Sequence, residues 1–188
     1  MCGRYSLTDS PQTQTLLKDL GVDPAQLPIR FNIAPTEYIP VVFQQDGNNQ
    51  LINMRWWLVP SWSGGPSTQY AMFNARCESL ATSRAFKGSY RHKRAIIPAS
   101  SFIEWRKEVG GKQPYLIEPE NTAFAFAGLW DHWSYDGLEI FSCAIITTDA
   151  TPSFQHIHNR MPLILHKSEY EPWLNCEEVD MSPRLPNP

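Results

Sequence analysis

No stretch of this chain is apolar for the roughly 20 residues that a membrane helix needs, and its start lacks the basic-then-apolar layout of a signal peptide. The two absences lead to the expectation of a cytoplasmic protein, nucleoid-associated in a bacterium, with no membrane partner. Cysteine is scarce and scattered. Cys2, Cys77, Cys143 and Cys176 form no C-x-x-C pair and no Cys/His cluster at zinc-finger spacing, so neither a disulfide framework nor structural zinc is expected. No metal or organic cofactor is suggested. An excess of positive charge is missing too: 16 Lys and Arg stand against 19 Asp and Glu, a formal net charge of −3. That balance excludes a protein that coats nucleic acid by bulk charge.

What is present is 188 residues, 42% of them hydrophobic, enough for one globular domain with a substantial core. Sixteen prolines are spread through the chain, and the apolar segments between them are short, which suits many strands better than long helices. Strands are predicted at 38–43, 51–59, 95–98, 102–105, 115–118, 123–131, 138–146 and 163–165. Hairpin turns are predicted at GNN (47–49), GG (110–111) and YDG (135–137). The result is a mainly antiparallel, β-rich core. Ser10-Pro11 reads as a helix cap and first position, with Gly21 as the stop. Shorter helices are expected over 77–86 and from Thr151-Pro152 into SFQHI.

Charge is uneven. Arg84, Lys87, Arg91, Lys93, Arg94, Arg106 and Lys107 share a stretch in which Glu104 is the sole acid, and the chain turns acidic near Glu169. The basic stretch is either a solvated surface or one face of a binding site.

Several residues carry chemistry. The chain opens MCGRY. A residue as small as Cys at position 2 permits removal of Met1, which leaves Cys2 with a free α-amine beside its thiol, a pair no internal cysteine offers. Glu104 lies between Ile103 and Trp105, so strand alternation turns it away from both neighbours. It is either a solvent-facing glutamate or, in an enclosed site, a proton shuttle. His158, two residues before Arg160, is either structural or a proton carrier near neutral pH. Asn74 and Arg76 alternate within FNAR; Asn74 is a turn residue or a hydrogen-bonding group, and Arg76 is able to clamp a phosphate. Trp56, Trp57 and Trp62 fall within seven residues and are either core or a platform for stacked bases.

The ordered motifs MCGRY, F-N-x-A-P, R-W-x-L-V-P-S-W, F-N-A-R, F-x-E-W, F-A-G-L-W, I-I-T-T-x-A and H-x-R-M-P resemble the SRAP family (SOS-response-associated peptidases), the abasic-site processing proteins, from Met1 to about Leu165. The resemblance implies an α+β fold: a single compact β-rich domain over 1–175, with mainly antiparallel strands in a barrel-like core, a few short helices and a positively charged groove. A flexible tail over 176–188 completes the chain. It also implies a monomer that crosslinks to abasic sites in single-stranded DNA, alone or at single-strand/duplex junctions, through mature Cys2, with Asn74, Glu104 and His158 as catalytic neighbours. Arg4, Asn32, Trp56, Trp57, Arg76 and Arg160 are the implied DNA contacts. Removal of Met1 by the protein itself would fit the peptidase name, and Schiff-base chemistry would be of the lyase type. Three departures bear on the groove: Trp57 in place of a usual glycine, Ile103 in place of tyrosine, and Cys77 with Ser79 in place of a small residue and threonine. The residues alone leave two rivals, an N-terminal-cysteine amidohydrolase or self-processing thiol protease and a non-enzymatic single-strand-binding module.

Overall fold

A computed structural model describes residues 2–184. The strands in chain order are β1 (Arg4–Leu7), β2 (Arg30–Ile33), β3 (Tyr38–Gln45), β4 (Asn48–Trp56), β5 (Asn74–Arg76), β6 (Arg94–Ala99), β7 (Ser101–Glu108), β8 (Gly111–Ile117), β9 (Phe124–Tyr135), β10 (Leu138–Asp149) and β11 (Arg160–Pro162). The helices are α1 (Pro11–Asp19), α2 (Lys87–His92) and α3 (Tyr170–Leu174).

Five strands close into a ring. β3 pairs with β4 and β6, β6 with β9, β9 with β10, and β10 returns to β4. Only the β10–β4 seam is parallel, so this is a mixed barrel, as the barrel-like expectation had it. Most of its strands are apolar on both faces, β4 being the exception with Asn49, Asn53 and Arg55 on its outer side. Val41, Ile97, Phe124, Phe126 and Ile145 point into one core, while their neighbours Val42, Ile96, Ala125, Ala127 and Ile146 pack outward under the helices. That double burial is why the sequence shows continuous apolar runs here and not a clean alternation. A Cβ on Gly128 would collide with Ile97 Cδ1, so a β9 residue facing β6 has no room for a side chain.

A second sheet, in the order β2-β1-β7-β8, lies against the barrel. Tyr5 of β1 packs edge-on against Trp56 and Phe126, with ring centroids 5.4 and 6.3 Å apart. β6 and β7 are nearly one strand bent at Ser100, whose Oγ accepts the Thr8 amide at 2.7 Å. The two sheets are thereby covalently and sterically joined close to the start of the chain.

Helix α1 starts and stops where the sequence says. Ser10 Oγ accepts the Thr13 amide at 3.2 Å, and Gly21 sits at φ +70° just past the end, a backbone conformation that side-chain-bearing residues avoid. The Tyr135–Leu138 turn falls on Asp136-Gly137 as expected, whereas the turn assigned to 47–49 is centred one residue earlier, on Asp46-Gly47.

Three of the expected helices and strands need correction. The helix over 77–86 reduces to a single 3₁₀ turn at Cys77–Ser79, because Ser79 and Thr82 hydroxyls bond back to nearby carbonyls and compete with the helix. The segment after Thr151 forms successive turns, since Ala150 N donates to Asn159 O and closes the loop too tightly for a helix. The strand at 163–165 is a single bridge at Ile164; the regular strand is β11 just before it. Residues 176–184, assigned to a tail, reach back to the body: Glu177 O accepts from Arg94, and Arg184 pairs with Glu169 at 3.0 Å. The end of that assignment, 185–188, lies outside the described residues.

Candidate active site

The chain start is delivered to its position by β1, whose register with β7 sets Arg4 opposite Ile103 and Tyr5 opposite Phe102. Continued towards the terminus, that register brings Cys2 level with Glu104 and Trp105. Cys2 is fully buried. Its carbonyl accepts a hydrogen bond from Asn74 Nδ2 at 2.8 Å, across the 72 residues that separate them. Burial pushes the Cys2 thiol well above the ordinary range, and the charge of Glu104 pushes it further in the same direction. The thiol is therefore held protonated.

Glu104 lies on the inward face of β7 with Phe102 and is 3% exposed. Its Oε1 accepts the amide of Trp105 at 3.1 Å. Strand alternation thus resolves the question that the sequence left open: the carboxyl faces an enclosed site and not solvent. Asn74 comes from β5, a three-residue strand held parallel to β10 by the pairs Asn74↔Ile145 and Arg76↔Thr147. Its Oδ1 is buried without a hydrogen-bond partner among the described residues, an acceptor available to a donor at the same place.

His158 projects from the loop between β10 and β11. The Arg160 amide lies 2.9 Å and the Arg160 carbonyl oxygen 3.2 Å from its Nδ1, contacts that fix the orientation of the ring. A cleft of about 830 Å³ runs between this loop and β7, lined by Phe73, Glu104–Lys107, Lys112 and Gln155–Asn159. It opens beyond the point where β1 ends and leaves β7 without a neighbour on that side. Cys2, Asn74, Glu104 and His158, far apart in sequence, thus converge on one end of the second sheet.

The expected DNA contacts separate into two groups. Arg4 and Asn32 lie together on the surface, Arg4 Nη1 donating to Asn32 Oδ1 at 3.0 Å, with Asn32 at φ +53°. Arg76 is exposed and Trp57 half-buried, its ring tilted against Phe73 and its Nε1 donating to Ser67 O. Trp56, by contrast, is wholly buried in the barrel and donates to Phe73 O, so it offers no face to a base. Arg160 is committed within the protein. Its guanidinium donates to Glu78 at 2.6 Å, Asp149 at 2.7 Å and Thr147 O at 2.7 Å, and its side chain is 11% exposed. It ties the His158 loop to β10 and to the turn after Arg76, which is a positioning role. Trp62 is 56% exposed, with the Arg84 guanidinium 4.7 Å from its ring.

The basic stretch does not form one face. Lys93 pairs with Asp131, Arg94 is buried between the Tyr90 and Trp173 rings, and Arg106 pairs with Glu108. Sequence reading missed the carboxylates Glu78 and Asp149 that hold Arg160. Nothing in their local pattern signals the role, which depends on three segments meeting. Among the described residues no cluster of three or more His, Cys, Asp or Glu side chains is arranged to hold a metal ion, and no helix is long and apolar enough to cross a membrane.

The chain is 35% identical over 182 residues to the abasic site processing protein YoaM of Bacillus subtilis, covering 93% of this chain and 79% of the relative. It is 30% identical over 184 residues to the abasic site processing protein YedK of Escherichia coli, covering 94% and 81%. The fold is similar to that of a crystal structure of a protein from Bacteroides thetaiotaomicron, with a TM-score of 0.78 and 27% identity over 95% of this chain and 83% of the other. The model of the SOS response associated peptidase (SRAP) family matches residues 1–185, and the chain belongs to that family.

Proposed function

We propose that this protein captures abasic sites in single-stranded DNA covalently, through the α-amine and thiol of Cys2 after Met1 is removed. The observation that carries the reading is the Asn74 amide on the Cys2 carbonyl at 2.8 Å, in the field of the buried Glu104. A chain terminus is normally among the least constrained parts of a protein; here residue 2 is buried and held, as a reacting group has to be.

The chemistry follows from the groups. A ring-opened abasic sugar presents an aldehyde. The Cys2 amine, with an ordinary pKa near 8, attacks the carbonyl carbon to form a carbinolamine, which loses water to give an imine. The thiol then adds to the imine carbon, its proton passing to nitrogen, and closes a five-membered thiazolidine. Amine and thiol must belong to one residue for that ring to form. An open imine would acidify the neighbouring sugar carbon and invite β-elimination of the strand, and ring closure removes that hazard.

Glu104 serves as the acid and base for the carbinolamine steps, and it also takes the proton from a thiol that its surroundings hold neutral. Asn74 orients the terminus. His158, as its imidazolium, protonates the sugar ring oxygen as the aldehyde is unmasked, and the neutral ring this leaves takes a proton back in the reverse release. The same thiol and acid/base groups would remove Met1. Arg4, Asn32, Trp57 and Arg76 bind the strand, largely through its phosphates and without regard to sequence. Single strands or junctions are favoured because the sugar must be reached outside a stacked duplex. The protein acts as a monomer, without a cofactor, where single-stranded DNA arises in the cytoplasm or nucleoid.

The test is a denaturing gel of purified protein mixed with a single-stranded oligonucleotide carrying one abasic site. A heat-stable shifted band that requires Cys2 is expected. No adduct from protein whose intact mass proves Met1 already removed would overturn the reading in favour of the amidohydrolase or the simple binding module.

A further inference from the structure

The β7–β8 hairpin carries a charge arrangement that the fold itself does not explain. Its register sets Lys107 directly opposite Lys112, and like charges in that position on an antiparallel pair are destabilising. Both lysines are exposed, and among the described residues no carboxylate pairs with either. The nearest acid in sequence, Glu108, is already engaged by Arg106 and by the Tyr115 hydroxyl. Arg106 stacks over Tyr115 at 4.7 Å. The hairpin therefore neutralises one face and leaves a bare cationic pair on the other.

The register also says which face that is. Lys107 and Lys112 share it with Trp105 and Pro114, then with Ile103 and Leu116, and Ile103 pairs with Arg4. Arg4 and the lysine pair thus stand at two ends of one sheet face, about 13 Å apart along β7 at roughly 3.3 Å per residue, with the half-buried Trp105 between them. By alternation Glu104 points to the other face of β7, yet both lysines join it and His158 in lining the cleft at the margin that β1 leaves uncovered.

We infer that the Lys107–Lys112 pair is a phosphate clamp for the DNA strand flanking the reacting nucleotide, and that the sheet face from Arg4 to this pair is its track. The inference rests on the abasic-site reading and adds contacts that reading does not include. A phosphate seated between two ammonium groups turns their repulsion into attraction, so the strain of the free hairpin is relieved on binding.

The test uses a fluorescein-labelled single strand without an abasic site, followed by anisotropy across a salt series, with wild type, the double variant K107Q/K112Q and the single variant Lys112→Glu. The double variant should bind more weakly, and the slope of log affinity against log salt should fall by about 0.7 for each phosphate that is no longer neutralised. Lys112→Glu places a carboxylate opposite Lys107. It should raise the melting temperature while weakening binding, a combination that a damaged fold would not give. Crosslinking of an abasic oligonucleotide at sub-saturating DNA should slow in both variants in step with the loss of binding. Unchanged slope and affinity in the variants, beside a wild type that binds and crosslinks, would overturn the clamp. So would retained DNA binding with lost binding to polyglutamate, which would assign the pair to an acidic protein partner. A wild type that binds the strand without crosslinking would overturn the abasic-site reading and leave the salt slope to decide the clamp. One that binds no strand would overturn both.

Discussion

The closed barrel and the four-stranded sheet beside it differ in composition, the sheet's strands being far richer in charge, and they treat their margins in opposite ways. Each barrel strand has a neighbour on both sides and most are covered by apolar side chains on both faces, with Phe124, Phe126 and Trp56 filling the inside. The sheet stops at β2 and β8, and β1 is too short to cover β7 to its end. Cys2 and Glu104 lie at that uncovered margin, and Asn74 and His158 reach it from β10's other partners. On the proposed function the contrast separates the part of the molecule that supplies stability from the part that supplies chemistry, a division common where loops and element ends on a rigid scaffold carry function.

That division is testable by substitution, because each side should fail in its own way. Cys2→Ala should abolish the heat-stable adduct completely while leaving thermal stability near wild type, read by the gel and by a melting curve. Glu104→Gln should slow adduct formation by roughly 10²- to 10⁴-fold, the usual contribution of a placed acid/base, without eliminating it in single-turnover kinetics. Barrel substitutions should do the reverse. Phe126→Ala should cost about 3–5 kcal/mol in denaturant titration, with the adduct still formed by the molecules that remain folded. Gly128→Ala, with its Cβ driven against Ile97, should cost roughly 1–3 kcal/mol as an overpacked site. An adduct rate that tracked stability across all four would erase the distinction.

The smallest effect sits on the link between the two regions. Hydrogen bonds from Arg160 hold the Glu78 carboxyl down to about 2 from an ordinary 4.5. Because the folded value is depressed, this interaction adds stability above about pH 4.5 and loses it as pH falls towards 2. Glu78 is half exposed, so the contribution is screened and small. Comparison of wild type with Glu78→Gln should show an advantage for wild type at neutral pH that fades on acidification, with a looser His158 loop detectable by hydrogen exchange.

Much of this is legible in the chain, and the rest is hidden for identifiable reasons. The long barrel strands announce themselves because double burial demands unbroken apolar runs, and Ser10-Pro11 with Gly21 marks α1 through cap chemistry alone. Strand period separates Glu104 from Ile103 and Trp105 but leaves open which face is enclosed, and only the packed chain shows that it is the one with Glu104. The short strands β1, β2 and β5 escape a reading by pattern, since three or four residues carry too little periodicity and their pairing is decided by distant partners. Trp56 and Arg160 show the limit most clearly: a motif reports that a residue type is present, whereas only the packed chain reports that the Trp56 indole is interior and that the Arg160 guanidinium is consumed by Glu78 and Asp149.

The burial of Cys2 has a consequence for the protein's life between encounters with damage. Oxidants and alkylating metabolites consume thiolates at exposed positions, and this thiol is neutral and out of solvent. On the proposed function the protein is a reagent that works once per molecule, useful only if it arrives unspent. The enclosure that demands a nearby base for that reaction would then also keep Cys2 from being wasted on small diffusible electrophiles.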